Sequence, residues 1–103
     1  MTSKNYLEYL LENLSETGYF TTRPMMGEYL LYLDGKYVGL ICDNTLLVKQ
    51  TPTSKALLKD CELLYPYEGS KTLMYAVEDI ENRKLMTKLF EGLFEELPDK
   101  KKK

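Results

Sequence analysis

Asp34-Gly35 stands between two apolar runs, Tyr29 to Leu33 and Lys36 to Ile41, and it constrains the fold more than any other part of the chain. A two-residue turn needs positive φ at its centre, which Asp-Gly supplies at little steric cost. The two runs are therefore expected to form an antiparallel hairpin. Asp43-Asn44 repeats the signal and leads into Leu46, Leu47 and Val48, so three strands should follow one another as a meander. Phe20 to Thr22 either pairs with this meander or leads into it. Within the first strand, Tyr29, Leu31 and Leu33 alternate with Leu30 and Tyr32, which makes both of its faces apolar.

The flanks read as helices. Tyr6, Leu7, Leu10, Leu11 and Leu14 recur at helical spacing, which predicts a helix over about Ser3 to Ser15, capped by Ser3 and stopped near Gly18 by a left-handed residue. Thr51-Pro52 opens a second helix, placed at Pro52 to Lys59. Cys61 to Ser70 contains Pro66 and Gly69 and reads as a crossing loop, with a short extended piece at Leu63 to Tyr65. Leu73 to Val77 is one more strand. In the last helix Asp79 is the expected cap, and Ile80, Leu85, Leu89, Phe90, Leu93, Phe94 and Leu97 form the buried stripe up to Pro98. The order α-β-β-β-α-β-α, with room for one extra short strand, is an α+β class: two layers, a mostly antiparallel sheet, helices packed on one face. Its 103 residues suit a single domain over residues 1–98 and a basic tail over residues 99–103.

Charge and residue types narrow the function. Lys and Arg number 14 against 16 Asp and Glu, and Lys100 to Lys103 supply four of those positives, so the folded body is acidic. Histidine is absent, which removes the commonest general base and the imidazole metal ligand. Cys42 and Cys61 resemble no zinc site or redox pair, and the absence of a leader or an apolar span points to the reduced cytoplasm, away from membranes. Catalytic, cofactor and metal sites are not expected. Three helices can cover one face of the sheet, so the other should present tyrosine and leucine to water unless another chain covers it. A homodimer is expected on that ground, with Tyr29, Leu31, Tyr32 and Tyr37 as its face.

Thr22-Arg23-Pro24-Met25-Met26-Gly27, an apolar strand, Asp34-Gly35-Lys36, a second apolar strand and Leu46-Leu47-Val48-Lys49 follow in an order that resembles the TfoX N-terminal domain family. The residues that carry the resemblance are Arg23, Met25, Met26, Gly27, Gly35 and Lys49, and it runs from about Tyr6 to Leu97. Met-Met replaces the family's usual Met-Phe. The resemblance implies a two-layer domain like the secretion-chaperone type of fold, in a bacterial cytoplasmic protein with regulatory associations. Family members that regulate DNA uptake resemble this chain in their first half and continue into a helical second domain. A stand-alone module acting through an unknown protein partner is therefore the expectation.

Arg23 can offer a guanidinium to a carboxylate or phosphate, or pair with an acidic helix residue, and Pro24 biases its backbone toward an extended form. Lys49 can bind an anion beside Arg23 if their strands adjoin, or guard a strand edge. Of Met25 and Met26, one is expected in the core and the other at an interface. Gly27 and Gly35 are read as conformational, and Cys42 as buried and inert. Glu78, Asp79, Glu81, Glu91, Glu95 and Glu96 read as a solvated helix face. Nucleic-acid contact through Arg23 and the lysine tail is the alternative partner class, with the acidic body against it.

Overall fold

A computed structural model describes residues 2–66 and 69–97. Its elements are α1 (Lys4–Leu14), β1 (Phe20–Met25), β2 (Glu28–Leu33), β3 (Lys36–Cys42), β4 (Thr45–Val48), α2 (Pro52–Leu57), β5 (Leu63–Leu64), β6 (Met74–Val77) and α3 (Arg83–Glu96). The strands form one antiparallel sheet in the order β1-β2-β3-β4-β6-β5, so the fold is α+β. Both segments left open by the sequence, Phe20 to Thr22 and Leu63 to Tyr65, contribute strands, and the meander has four strands in place of three.

Turn chemistry builds the meander. Asp34 and Gly35 have φ of 52° and 86°, Asp43 and Asn44 of 53° and 57°, and Met26 and Gly27 join β1 to β2 with φ of 49° and 86°. Two left-handed residues in succession give the turn whose twist matches that of the paired strands. Between β2 and β3 the register shifts: Leu31 pairs with Gly39 and Tyr32 with Tyr37, which leaves Val38 as a bulge.

The helices start where side chains satisfy their free amides. Ser3 Oγ accepts from the Tyr6 amide at 3.1 Å, and Thr51 and Ser54 form a reciprocal capping box on α2. Three boundaries differ from expectation. Gly18 does not adopt left-handed backbone; α1 ends at Leu14 and is capped by Ser15, whose amide donates to Glu12 O. The second helix ends at Leu57, because Leu58 leaves helical geometry at φ −114° and ψ 25°. The last helix begins at Arg83 with Asn82 as its cap, not at Asp79, because Asp79 O and its carboxylate accept from Asn82 and close a separate turn. Ile80 is buried in that turn without being helical. The Pro98 stop and the lysine tail lie outside the described residues.

Strand alternation divides the core. Leu31, Leu33, Ile41, Leu46, Val48, Tyr75 and Val77 pack with Leu10 and Leu14 of α1, Leu58 after α2, and Met86, Leu89, Phe90 and Leu93 of α3. Phe20 meets Phe90 edge-on, with centroids 5.0 Å apart. Leu40, Cys42, Leu47, Met74 and Ala76 form a second cluster on the opposite face, flanked by Met25, Leu30, Tyr37 and Leu64. That face corrects the expectation of a wet, greasy surface: Leu40 is 1% exposed, Leu47 2% and Tyr32 9%. The flanking side chains close around its centre, and Pro66, Ser70, Lys71 and Thr72 border Leu40 and Met74. The proposed dimer face is corrected as well. Tyr29 and Leu31 belong to the helix-covered side and Leu31 is fully buried, whereas Tyr32 and Tyr37 alternate onto the other side.

Candidate functional site

The open face of the sheet carries Arg23, Met25, Tyr32 and Tyr37 of the residues singled out from the sequence, with Lys49 over it. Cross-strand register sets Arg23, Leu30, Leu40, Leu47 and Ala76 in one row across five strands. Tyr32 and Tyr37 stand beside that row with ring centroids 5.8 Å apart. Lys49 lies over the Tyr37 ring, its Nζ 4.1 Å from the centroid. Arg23 and Lys49 do not meet, because β2 and β3 separate their strands, so the joint anion site expected of them is corrected. Arg23 is exposed, and among the described residues it has no ion-pair partner, so the alternative of pairing with an acidic helix residue is not seen either.

At one end of this face the β1–β2 turn is tied down from two sides. The Thr2 amide donates to Gly27 O at 3.3 Å, and the Thr2 hydroxyl donates to Glu28 Oε1 at 2.6 Å. The Asp43 amide also donates to Glu28 Oε1, at 3.1 Å, and the Asn44 amide donates to Thr2 Oγ1. Partial burial pushes the Glu28 carboxyl up, but the hydrogen bonds from Thr2 and Asp43 outweigh it and hold it below the usual carboxylate range. Met25 is half-buried against the second cluster. Met26, at the tip, is 91% exposed.

Cys42 sits nearby in β3. Burial, then the charges of Glu28 and Asp43, push its thiol up to about 11. A raised value keeps the thiol neutral, and the stability it represents is present below the unfolded value and lost as pH rises through the folded one. In the folded protein at pH 8, Cys42 should be alkylated by iodoacetamide at least about a hundredfold more slowly than in urea, since two pKa units separate the thiolate fractions. Time-resolved peptide mass spectrometry checks this; equal rates folded and unfolded contradict it.

Toward the other end, Tyr37, Leu40, Met74, Pro66 and Leu97 enclose a groove of about 370 Å³ with Lys49, Gln50, Ser70, Lys71 and Thr72 around its mouth. Gln50 Nε2 is fixed by donating to Leu73 O at 2.8 Å. Burial lowers the Lys49 pKa. The acidic residues gather elsewhere: Glu78, Asp79 and Glu81 line a cavity of about 390 Å³ with Tyr6 and Tyr9. Glu96 holds the start of α2, accepting from the Thr53 amide and hydroxyl at 2.9 and 2.5 Å, and these bonds lower its pKa. Among the described residues, no three His, Cys, Asp or Glu side chains gather as metal ligands. No helix there is long and apolar enough to cross a membrane.

Sequence reasoning missed Thr2 and Glu28, which secure the motif tip, and Lys71, which borders the groove. Thr2 and Glu28 carried no local signal, because their contact spans 26 residues of sequence. Lys71 is a lone loop lysine that only the sheet brings near Lys49.

The TfoX N-terminal domain family matches residues 12–89 of the chain. A relative from Spirochaeta aurantia, described as an uncharacterized 12.7 kDa protein in the trpE 5′ region, is 31% identical over 80 residues, covering 78% of this chain and 70% of the relative.

Proposed function

Because the chain belongs to the TfoX N-terminal domain family, a source of small regulatory-type domains, we propose that it is a non-catalytic cytoplasmic module that works by docking a protein partner on its β1–β2 tip. The observation that carries this reading is Met26. A non-glycine residue with positive φ is strained by about 1 kcal/mol, and here that strain serves to present a flexible apolar side chain almost wholly to water. Thioether side chains suit surfaces that must fit a partner's apolar pocket. Arg23, exposed on the adjoining strand, adds a donor for a carboxylate of the same partner. We take the partner to be another protein; what supports this over a second copy is that the four residues expected to form a dimer face divide between two sides of the sheet.

Met26→Asn separates function from folding. Asparagine tolerates left-handed backbone, so the variant should be more stable by about 0.5–1 kcal/mol in urea unfolding while its capture of the native partner falls at least tenfold. An unchanged set of captured proteins, measured by quantitative mass spectrometry against wild type, refutes the reading.

A further inference from the structure

The groove at the other end of the open face lies outside this docking reading and has a chemistry of its own. Its floor and walls are Leu40, Met74 and the Tyr37 ring, and its volume of about 370 Å³ falls within the range of small-molecule sites. The charged groups that line it among the described residues are both ammoniums, Lys49 and Lys71. We infer that this groove binds a small amphipathic carboxylate, with its apolar body on Leu40, Met74 and Tyr37 and its carboxylate between Lys49 and Lys71.

The argument rests on what each side chain gains. Lys49 is half-buried, and its Nζ lies over the face of Tyr37, whose quadrupole returns only part of the hydration lost. The depressed pKa of Lys49 reflects the same imbalance. A ligand carboxylate adds a charge-assisted hydrogen bond there, while Ser70, Thr72 and Gln50 border the mouth with polar groups. A cationic ligand would meet two like charges. A neutral alkyl ligand would desolvate Lys49 further with no return. The ligand carrying both an apolar stem and one anionic head suits each of the described lining residues.

Sodium octanoate is a suitable probe. In a methyl- and ring-resolved NMR titration it should shift Leu40, Met74 and Tyr37 saturably, and octylammonium should bind at least tenfold more weakly. Lys49→Met, which keeps the stem and drops the charge, should weaken octanoate at least tenfold. Lys71→Ala, at an exposed position where folding is not at stake, should weaken it about threefold. Met26→Asn should leave it unchanged, so failure of the groove and failure of the docking tip give different results. Three outcomes overturn the inference: no saturable shift up to about 10 mM octanoate, octylammonium binding as tightly as octanoate, or Lys71→Ala binding like wild type.

Discussion

Gly39→Ala is expected to destabilise the protein by roughly 3 kcal/mol and to lower the thermal midpoint by about 15 °C. A β-carbon at this position would stand 2.2 Å from Leu47 O and 3.2 Å from Val48 Cα, both backbone atoms of the neighbouring strand. Backbone cannot rotate aside as a side chain can, so β3 and β4 would have to separate at the centre of the sheet. The bulge at Val38 sets this contact, since it brings Gly39 opposite Leu31 on one side and Val48 on the other. Gly35→Ala provides the contrast: it has nothing within 4 Å but a φ of 86°, so its loss of roughly 1 kcal/mol would come from backbone strain alone. Urea midpoints for both variants test the ordering. Gly39→Ala unfolding no more easily than Gly35→Ala refutes the close-contact account.

Lys36→Met should cost about 2 kcal/mol and loosen the last turn of α3 before the rest of the domain. Lys36 follows the hairpin turn and is 9% exposed. Its Nζ donates to Phe94 O and, at 2.8 Å, to Leu97 O, and lies 4.4 Å from the centre of the Phe94 ring. Carbonyls at a helix C-terminus carry partial negative charge and lack intrahelical donors, so one buried ammonium offsets both deficits. Methionine preserves the packed stem and supplies no donor. Hydrogen exchange should show faster opening at Leu93 to Leu97 with β4 and β6 protected as in wild type. A loss below about 0.5 kcal/mol would mean that water replaces the ammonium without penalty.

These two sites mark the limit of what could be read from the sequence. Asp34-Gly35 and Asp43-Asn44 were legible because turn chemistry is local: two residues determine the backbone and the flanking apolar runs determine the strands. Thr51 and Ser3 were legible as caps for the same reason. The strand at Phe20 to Met25 was only half visible, since Thr21, Thr22, Arg23 and Pro24 lack apolar alternation and are held by pairing with β2. Gly39 and Lys36 carried no signal. One depends on a register shift decided by the packing of both faces, and the other on a helix end 58 residues away. The two-sided greasiness of β2 was read correctly. How the second side is covered was not, because its shelter comes from the flanking side chains of Met25, Leu30, Tyr37 and Leu64 and from a loop bordering Leu40, which no periodicity reports. Among candidate site residues, Met26 and Lys49 could be named from the motif, but the separation of Lys49 from Arg23 required the strand order.

The strand order also decides what the sheet can do at its rims. One rim is β1, in which Pro24 has no amide hydrogen to offer a passing strand and Arg23 holds a charge in water; the other is β5, two residues long. Neither rim is a template for fibril growth, so a chain rich in tyrosine and leucine keeps its hydrogen-bonding edges closed to runaway polymerisation.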